Sequence, residues 1–288
     1  MTPNLRVGLI GHNIGYSKSG DIYAAVFDRL GINSNFELLD VAPTELDTVV
    51  YRLRSMGFAG AAVTIPHKQA MLSFLDHKDA AVNAIGATNS ISMKASRLYG
   101  HNTDCAGFSY LARKIVGLDK VSRAAIFGNG GSARAVIYSL ITDFGCRDFV
   151  IFGRSKEALG KLETEFLSRM QDAQFETRLA SDTGTEATAF DLAVNCTPLG
   201  GWHYPKASPV PPAFSWEGTD FYIDLNYNDD NAALAALSDA GVTAINGAAM
   251  LVAQAIESVR LWTGKEVEFA PIFSKIFPGQ TRDKGGYK

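Results

Sequence analysis

Strand-like and helix-like patterns alternate along nearly the whole chain, which predicts an α/β protein with largely parallel sheets. Two further observations sharpen that expectation. A glycine-rich turn joins an apolar strand to an apolar helix near residue 128. A shorter strand runs through Gly57-Phe58-Ala59-Gly60-Ala61-Ala62-Val63-Thr64-Ile65 and is halted by Pro66, which lacks a ladder donor. That strand delivers Thr64, His67 and Lys68 to its C-terminal edge, where open α/β sheets bind ligands. At 288 residues, 47% of them hydrophobic, the chain has room for two domains.

Taken in order, Arg6–Gly11 reads as a buried strand. Asp21–Leu30 has helical spacing and meets Gly31, a natural C′ residue. Ser34–Leu39 is a second strand, and Thr44 is the expected N-cap of a helix reaching Ser55. Ala61–Ile65 is the third strand, followed by helical Gln69–Leu75 and Asp79–Ile85. A hairpin-like pair covers Ala87–Ser92 and Leu98–His101. A second unit starts near Asp104 with helical Cys105–Val116 ending at Gly117. Its strands are Arg123–Phe127, Phe149–Phe152, Phe175–Leu179, Asp191–Asn195 and Phe221–Leu225. Helices are expected over Ala133–Phe144, Lys156–Met170 and Asn231–Ala240. Gly200–Gly218 should be a structured loop whose aromatics seek burial. Met250–Thr263 is the strongest late amphipathic helix, and the polar tail after Pro278 should fray.

Composition excludes several classes of function. A net charge of −3 without a Lys/Arg cluster argues against nucleic-acid binding. No apolar run approaches the ~18 residues of a membrane span. Met1–Arg6 leads straight into Val7-Gly8-Leu9-Ile10 without signal-peptide architecture, so the expected compartment is the cytoplasm. Cys105, Cys146 and Cys196 are scattered and form neither a disulfide framework nor a metal-ligand spacing, so no metal is expected.

The turn Gly128-Asn129-Gly130-Gly131-Ser132-Ala133 has the pattern G-x-G-x-x-A in the required strand-to-helix context. Its glycines permit a tight turn and close approach of a pyrophosphate, which the helix N-terminus favours. The next strand ends in Gly153-Arg154-Ser155 without the acid that usually accepts from the ribose 2′-OH of NAD. A guanidinium and a hydroxyl suit a 2′-phosphate, so Arg154 and Ser155 point to NADP. Outside this motif, Tyr16-Ser17-Lys18-Ser19 puts two hydroxyls on one loop. Gly86-Ala87-Thr88-Asn89-Ser90 places an amide beside a strand, and His101-Asn102-Thr103-Asp104 places an acid at the hand-over to the second unit. A lysine following a proline is ordinarily a solvated surface group; Lys68 gains weight from this company.

Together with Asn195-Cys196-Thr197-Pro198-Leu199-Gly200, Met250-Leu251-Val252-Ala253-Gln254 and Trp262-Thr263-Gly264, these stretches resemble the shikimate dehydrogenase family in ordered sequence. The resemblance covers nearly the whole chain. It implies an N-terminal α/β substrate domain (1–104), a Rossmann-like NADP domain (105–245) and C-terminal helices (246–288) that return to the substrate domain. Lys68 matches the family's catalytic lysine and Asp104 its acidic partner. Ser17 and Ser19 match the holders of the substrate carboxylate; Thr64, Asn89 and Gln254 match contacts to ring hydroxyls, and Tyr227 a tyrosine lining the substrate site. Thr197, Gly247 and Met250 match cofactor-side positions, beside Gly128, Gly130, Gly131, Ser132 and Ala133. The implied partner is a small polyhydroxylated ring acid, and the implied assembly a monomer or homodimer.

This chain departs from the family pattern at Tyr16, Gly20, Tyr23, Ala62 and Asp229. A family member usually has His, Pro, His, Asn and Pro there. Because polar sites discriminate strongly between hydroxylated substrates, quinate or an aminoshikimate stand as alternative substrates, and a non-catalytic nucleotide sensor as an alternative function. A sensor would not need Lys68, Asp104, Asn89 and Gln254 together. A coupled Lys–Asp pair titrates as a unit, so the residue types leave the proton donor open between them.

Overall fold

The computed structural model describes residues 4–182, 189–212, 214–228, 234, 236, 237, 241–280, 282, 283, 286 and 287. The chain divides into two compact units: residues 1–107 with 251–280, and residues 108–250 with 281–288. In the first unit, β1 (Leu5–Gly11), α1 (Ser19–Leu30), β2 (Ser34–Asp40), α2 (Leu46–Ser55) and β3 (Phe58–Val63) follow in sequence. Then come α3 (His67–Ala70), β4 (His77–Lys78), α4 (Ala80–Ile85), β5 (Ser90–Lys94) and β6 (Arg97–His101). The sheet order is β2-β1-β3-β5-β6-β4. β1 lies parallel to β2 and β3, as the alternating pattern requires, whereas β5 is antiparallel to both β3 and β6. The β5–β6 link explains the difference. Ala95 and Ser96 both take positive φ (49° and 61°), the twist of a two-residue hairpin that can only reverse the chain.

Apolar spacing on α2 buries Leu46, Val49, Val50 and Leu53 against Ile10, Leu39, Phe58 and Val63 of the strands. Thr44 is not the N-cap expected. Pro43 opens a 3-10 turn over Pro43–Glu45, and Glu45 turns back to accept from the Ala42 N–H at 3.1 Å. Asp79 caps α4 through the Val82 N–H at 2.7 Å. β3 begins and ends earlier than the apolar run suggested, which leaves Thr64 and Ile65 beyond its last pair. The helix expected over Gln69–Leu75 is split into α3 and a 3-10 turn, Met71–Phe74.

The second unit runs from within α5 (Asp104–Tyr110), which passes into a π-helical stretch, Leu111–Val116. It continues through β7 (Arg123–Phe127), α6 (Gly131–Phe144), β8 (Asp148–Gly153), α7 (Lys156–Glu165) and β9 (Gln174–Leu179). β10 (Leu192–Asn195), β11 (Phe221–Asp224) and β12 (Thr243–Asn246) complete a six-stranded sheet of order β12-β11-β10-β7-β8-β9. All its pairings are parallel. This is the doubly wound arrangement, and its order reverses beside β7, the strand that feeds the glycine turn. β12 had no separate signal, because Thr243-Ala244-Ile245-Asn246 has only two apolar residues where β10 and β11, of the same length, each have three. Of the helix expected over Asn231–Ala240, only residues 234, 236 and 237 fall among those described. In the loop before β11, Phe214 and Trp216 join the core as expected, but Trp202 is 66% exposed. The tail is not frayed throughout, since Arg282–Asp283 pairs with Gly286–Tyr287. α8 (Ala248–Thr263) and α9 (Phe269–Ile276) close the described fold, and no helix among the described residues is long and apolar enough to cross a membrane.

Candidate active site

In the first unit, the C-terminal ends of β1 and β3 present the loop bearing Ser17 and Ser19 and the turn bearing Thr64. This is the switch point of a parallel β2-β1-β3 segment, the place where such sheets bind ligands. The turn after β3 carries Lys68 on α3, with the Lys68 carbonyl fixed by the Thr88 N–H at 2.9 Å. Lys68 Nζ lies 2.5 Å from Asp104 Oδ2. The carboxylate is nearly sequestered, at 2% side-chain exposure against 13% for the lysine. Asp104 also opens α5, where the helix N-terminus favours a negative charge.

Asn89 is the hub of this cluster. Its carbonyl accepts from the Thr103 N–H at 2.6 Å. Its Nδ2 faces Asp104 Oδ1 at 2.9 Å, Gln254 Oε1 at 3.0 Å and Thr103 Oγ1 at 3.0 Å. Two amide protons thus meet three acceptors, and the side chain is 4% exposed as a residue. The hairpin brings this about. Asn89 N donates to His101 O at 3.2 Å, which holds the start of β5 beside the residues following β6. Gln254 arrives on α8, with its Oε1 committed to Asn89. Ser17 Oγ donates to Ser19 Oγ at 3.0 Å, and Ser19 N donates to Ser17 Oγ at 3.2 Å, so the two hydroxyls form one compact donor pair. Thr64 is anchored by its N–H to Ile10 O at 2.8 Å.

In the second unit, the glycine turn has the form the pattern demands. Gly128 has φ +114°, and a Cβ there would stand 3.0 Å from Thr197 Cγ2. Gly130 is the N-cap of α6, has no side chain with which to cap it, and an added Cβ would meet nothing within 4 Å. Open space over a helix N-terminus fits a pyrophosphate. Gly131, Ser132 and Ala133 form the first turn of that helix. Arg154 follows β8 and is exposed; among the described residues no partner engages its guanidinium. Ser155 Oγ accepts from Ala158 N at 3.4 Å as the N-cap of α7, which leaves its own proton to donate. The motif therefore fits a dinucleotide, and the turn after β8 fits a 2′-phosphate.

Thr197 stands at the start of the loop after β10. Its hydroxyl donates to Asn195 Oδ1 at 2.8 Å and accepts from Leu199 N at 3.1 Å, so it shapes that loop. Tyr227 follows β11 and Gly247 follows β12, both at the sheet's C-terminal edge, and Met250 is buried on α8. Cys146 is fully buried, and burial pushes its thiol up to about 12, which makes it inert. Sequence reasoning missed Thr103 and Ser258 as members of the Asn89 cluster. The available signal was Ser258 one helical turn after Gln254.

Two domain families match the chain: "Shikimate dehydrogenase substrate binding domain" over residues 9–91 and "Shikimate 5'-dehydrogenase C-terminal domain" over residues 247–272. Shikimate dehydrogenase (NADP(+)) from Moorella thermoacetica is 36% identical over 97% of this chain and 95% of the relative. The Methanopyrus kandleri protein of that name is 33% identical, with 90% of each chain covered. Among solved structures, a shikimate dehydrogenase in complex with NADP+ superposes with a TM-score of 0.84 at 27% identity, covering 97% of this chain and 96% of the other. The Thermus thermophilus enzyme in complex with NADP(H) and shikimate gives a TM-score of 0.79 at 27% identity, covering 94% and 98%.

Proposed function

Because this chain belongs to the shikimate dehydrogenase family, we propose that it interconverts 3-dehydroshikimate and shikimate with NADP(H). The observation that carries the reading is the Lys68–Asp104 pair, 2.5 Å apart and held by the Asn89 hub at the edge of β3. The cofactor supplies or accepts hydride at one ring carbon. As the substrate carbonyl oxygen gains negative charge, the Lys68 ammonium stabilises it and delivers a proton, with Asp104 fixing the ammonium's position. Ser17 and Ser19 donate to the ring carboxylate. Thr64 and the Nε2 of Gln254 address ring hydroxyls, and Asn89 does so only by releasing one of its present acceptors. Tyr227 would line the substrate site, while Gly247 and Met250 belong on the cofactor side with Gly128 and Gly130. In this reading residues 1–104 and 246–288 serve substrate and residues 105–245 serve NADP. The homologues' common name leaves quinate and aminoshikimate without specific support. NADPH absorbance followed with shikimate, with quinate, and with NADP or NAD tests the assignment; turnover of quinate but not shikimate would overturn it.

Cofactor choice gives a second test. A 2′-phosphate at the turn after β8 meets the Arg154 guanidinium and the Ser155 proton, whereas a bare 2′-OH finds no carboxylate. Wild type is expected to prefer NADP in kcat/KM. Arg154→Ala should lower kcat/KM for NADP by roughly 10- to 150-fold, equivalent to about 1.5–3 kcal/mol. NAD should be little affected. Because Arg154 is exposed, the contrast should shrink at high salt. An equal loss with both cofactors would remove Arg154 from phosphate recognition.

A further inference from the structure

Before it reaches Ser17, the loop after β1 closes on a carboxylate that belongs to the protein itself. Asp40 is the last residue of β2 and pairs with Gly11, the last residue of β1. Its Oδ1 receives the Asn13 N–H at 2.8 Å and its Oδ2 the Ile14 N–H at 3.1 Å. Two successive backbone N–H groups converging on one anion form a nest, the concavity in which backbones bind phosphates and carboxylates. Asn13 has φ +56°, a left-handed conformation that asparagine tolerates better than most residues. His12 Nδ1 stays 3.7 Å from Oδ1, so the two N–H groups, not the imidazole, hold the carboxylate.

The path from this nest to the serine hydroxyls is short. Ile14 is 2% exposed, and its Cγ2 lies 2.6 Å from where a Gly11 Cβ would stand, as does Thr64 Cγ2. The isoleucine is therefore seated over Gly11 beside Thr64, a fit that only glycine admits. The Ile14 carbonyl receives the Ser17 N–H at 3.0 Å, and Ser17 Oγ receives the Ser19 N–H at 3.2 Å. Asp40 thus fixes Ile14, Ile14 fixes Ser17, and Ser17 fixes Ser19. The turn bearing Lys68 is tied to the end of β2 in another way. His67 Nε2 donates to the Val41 carbonyl at 3.0 Å, a contact in which the Asp40 side chain takes no part.

We propose that Asp40 is a positioning residue for substrate binding: its carboxylate fills the Asn13–Ile14 nest as an internal anion and holds the Ser17/Ser19 loop in the form that receives the substrate carboxylate. The kinetic part of this proposal rests on the dehydrogenase reading, in which those two serines bind the ring acid. A carboxylate loose beside that loop would repel an anionic substrate. Held in the nest, its charge is met by two N–H dipoles, and the serine pair is left as the place for the substrate's anion. Without Asp40 the loop takes its binding form for only a fraction of the time, and apparent affinity falls by that fraction.

Asp40→Ala is expected to raise KM for shikimate by roughly 5- to 30-fold, the effect of a loop that is competent about a fifth to a thirtieth of the time. Both kcat and KM for NADP should stay within about two-fold, because the Lys68 turn keeps its own tie to Val41. Added formate separates positioning from a structural role. In wild type the nest is filled, so formate can only compete with the ring acid and raise its KM. In Asp40→Ala formate can occupy the vacated nest and should lower KM. Asp40→Asn keeps the shape but turns an amide donor toward one N–H, and should fall between the two. It carries the KM test alone if Asp40→Ala does not fold. An unchanged KM in the folded variants would overturn the proposal. So would a lowered melting temperature with KM intact, or a raised KM in Asp40→Ala that formate does not lower. Should wild type fail to turn over shikimate, the dehydrogenase reading falls. Exchange of the Asn13 and Ile14 backbone amide protons, followed by NMR without substrate, then decides separately whether Asp40 orders the loop. It should quicken by about ten-fold or more in Asp40→Asn, and unchanged exchange would overturn that ordering role.

Discussion

Lys68→Ala is expected to lower kcat by roughly 10²- to 10⁴-fold while KM for the ring acid changes far less. The asymmetry follows from when the lysine acts. A ground-state carbonyl carries little charge, so the ammonium gains most of its interaction as the oxygen becomes an alkoxide. The backbone role of residue 68 survives the substitution, because its carbonyl continues to receive the Thr88 N–H. What does not survive is charge balance, since Asp104 would remain almost fully buried without its cation. Breaking a buried pair on one side costs about 3–5 kcal/mol of stability in typical cases. The variant therefore needs comparison with Lys68→Ala/Asp104→Asn, which removes both charges. If the lysine is the working acid, the double variant recovers melting temperature but not turnover. Turnover within a few-fold of wild type in folded Lys68→Ala would place proton delivery elsewhere.

How much of this was legible in the sequence depended on the range of the physics involved. The glycine turn, the proline stop after β3 and the missing acid after β8 are local signals, each acting within a few residues. They singled out Gly128, Lys68 and Arg154 directly. The amide hub was legible only as separate pieces. Asn89, Asp104 and Gln254 were each singled out, but their convergence depends on the β5–β6 hairpin and on where α8 lies, and no local pattern encodes either. The Thr103–Ser258 contact is likewise long-ranged, joining the residues after β6 to α8 across 155 positions of sequence. Thr44 failed as a cap for a different reason: Pro43 and Glu45 offered a tighter local solution than a threonine N-cap. The hydroxyl of Thr197 bonds on both sides within its own loop, a local arrangement that the residue pattern did not show.

Ser17→Ala with Ser19→Ala is expected to raise KM for the ring acid strongly while leaving NADP affinity alone. The two hydroxyls touch, at 3.0 Å, and Ser17 Oγ also receives the Ser19 N–H. Each oxygen in this pair has a proton that can be redirected to an anion. A hydrogen bond to a charged group contributes about 1.5–3 kcal/mol, so independent losses would sum to about 3–6 kcal/mol, or roughly 10²- to 10⁴-fold in KM. The sites are not independent, however. Groups in direct contact couple, and Ser17 also organises the backbone on which Ser19 is presented. Ser17→Ala alone should accordingly exceed Ser19→Ala alone, because it removes a donor and loosens the loop that carries the other. The double variant should fall short of the simple product of the single effects. Turnover at saturating substrate should stay near wild type, since the Lys68–Asp104 pair is untouched and the carboxylate takes no part in the hydride step. Steady-state kinetics on the two single variants and the double separate these outcomes. An unchanged KM in the double variant would mean that the substrate carboxylate is held by other residues.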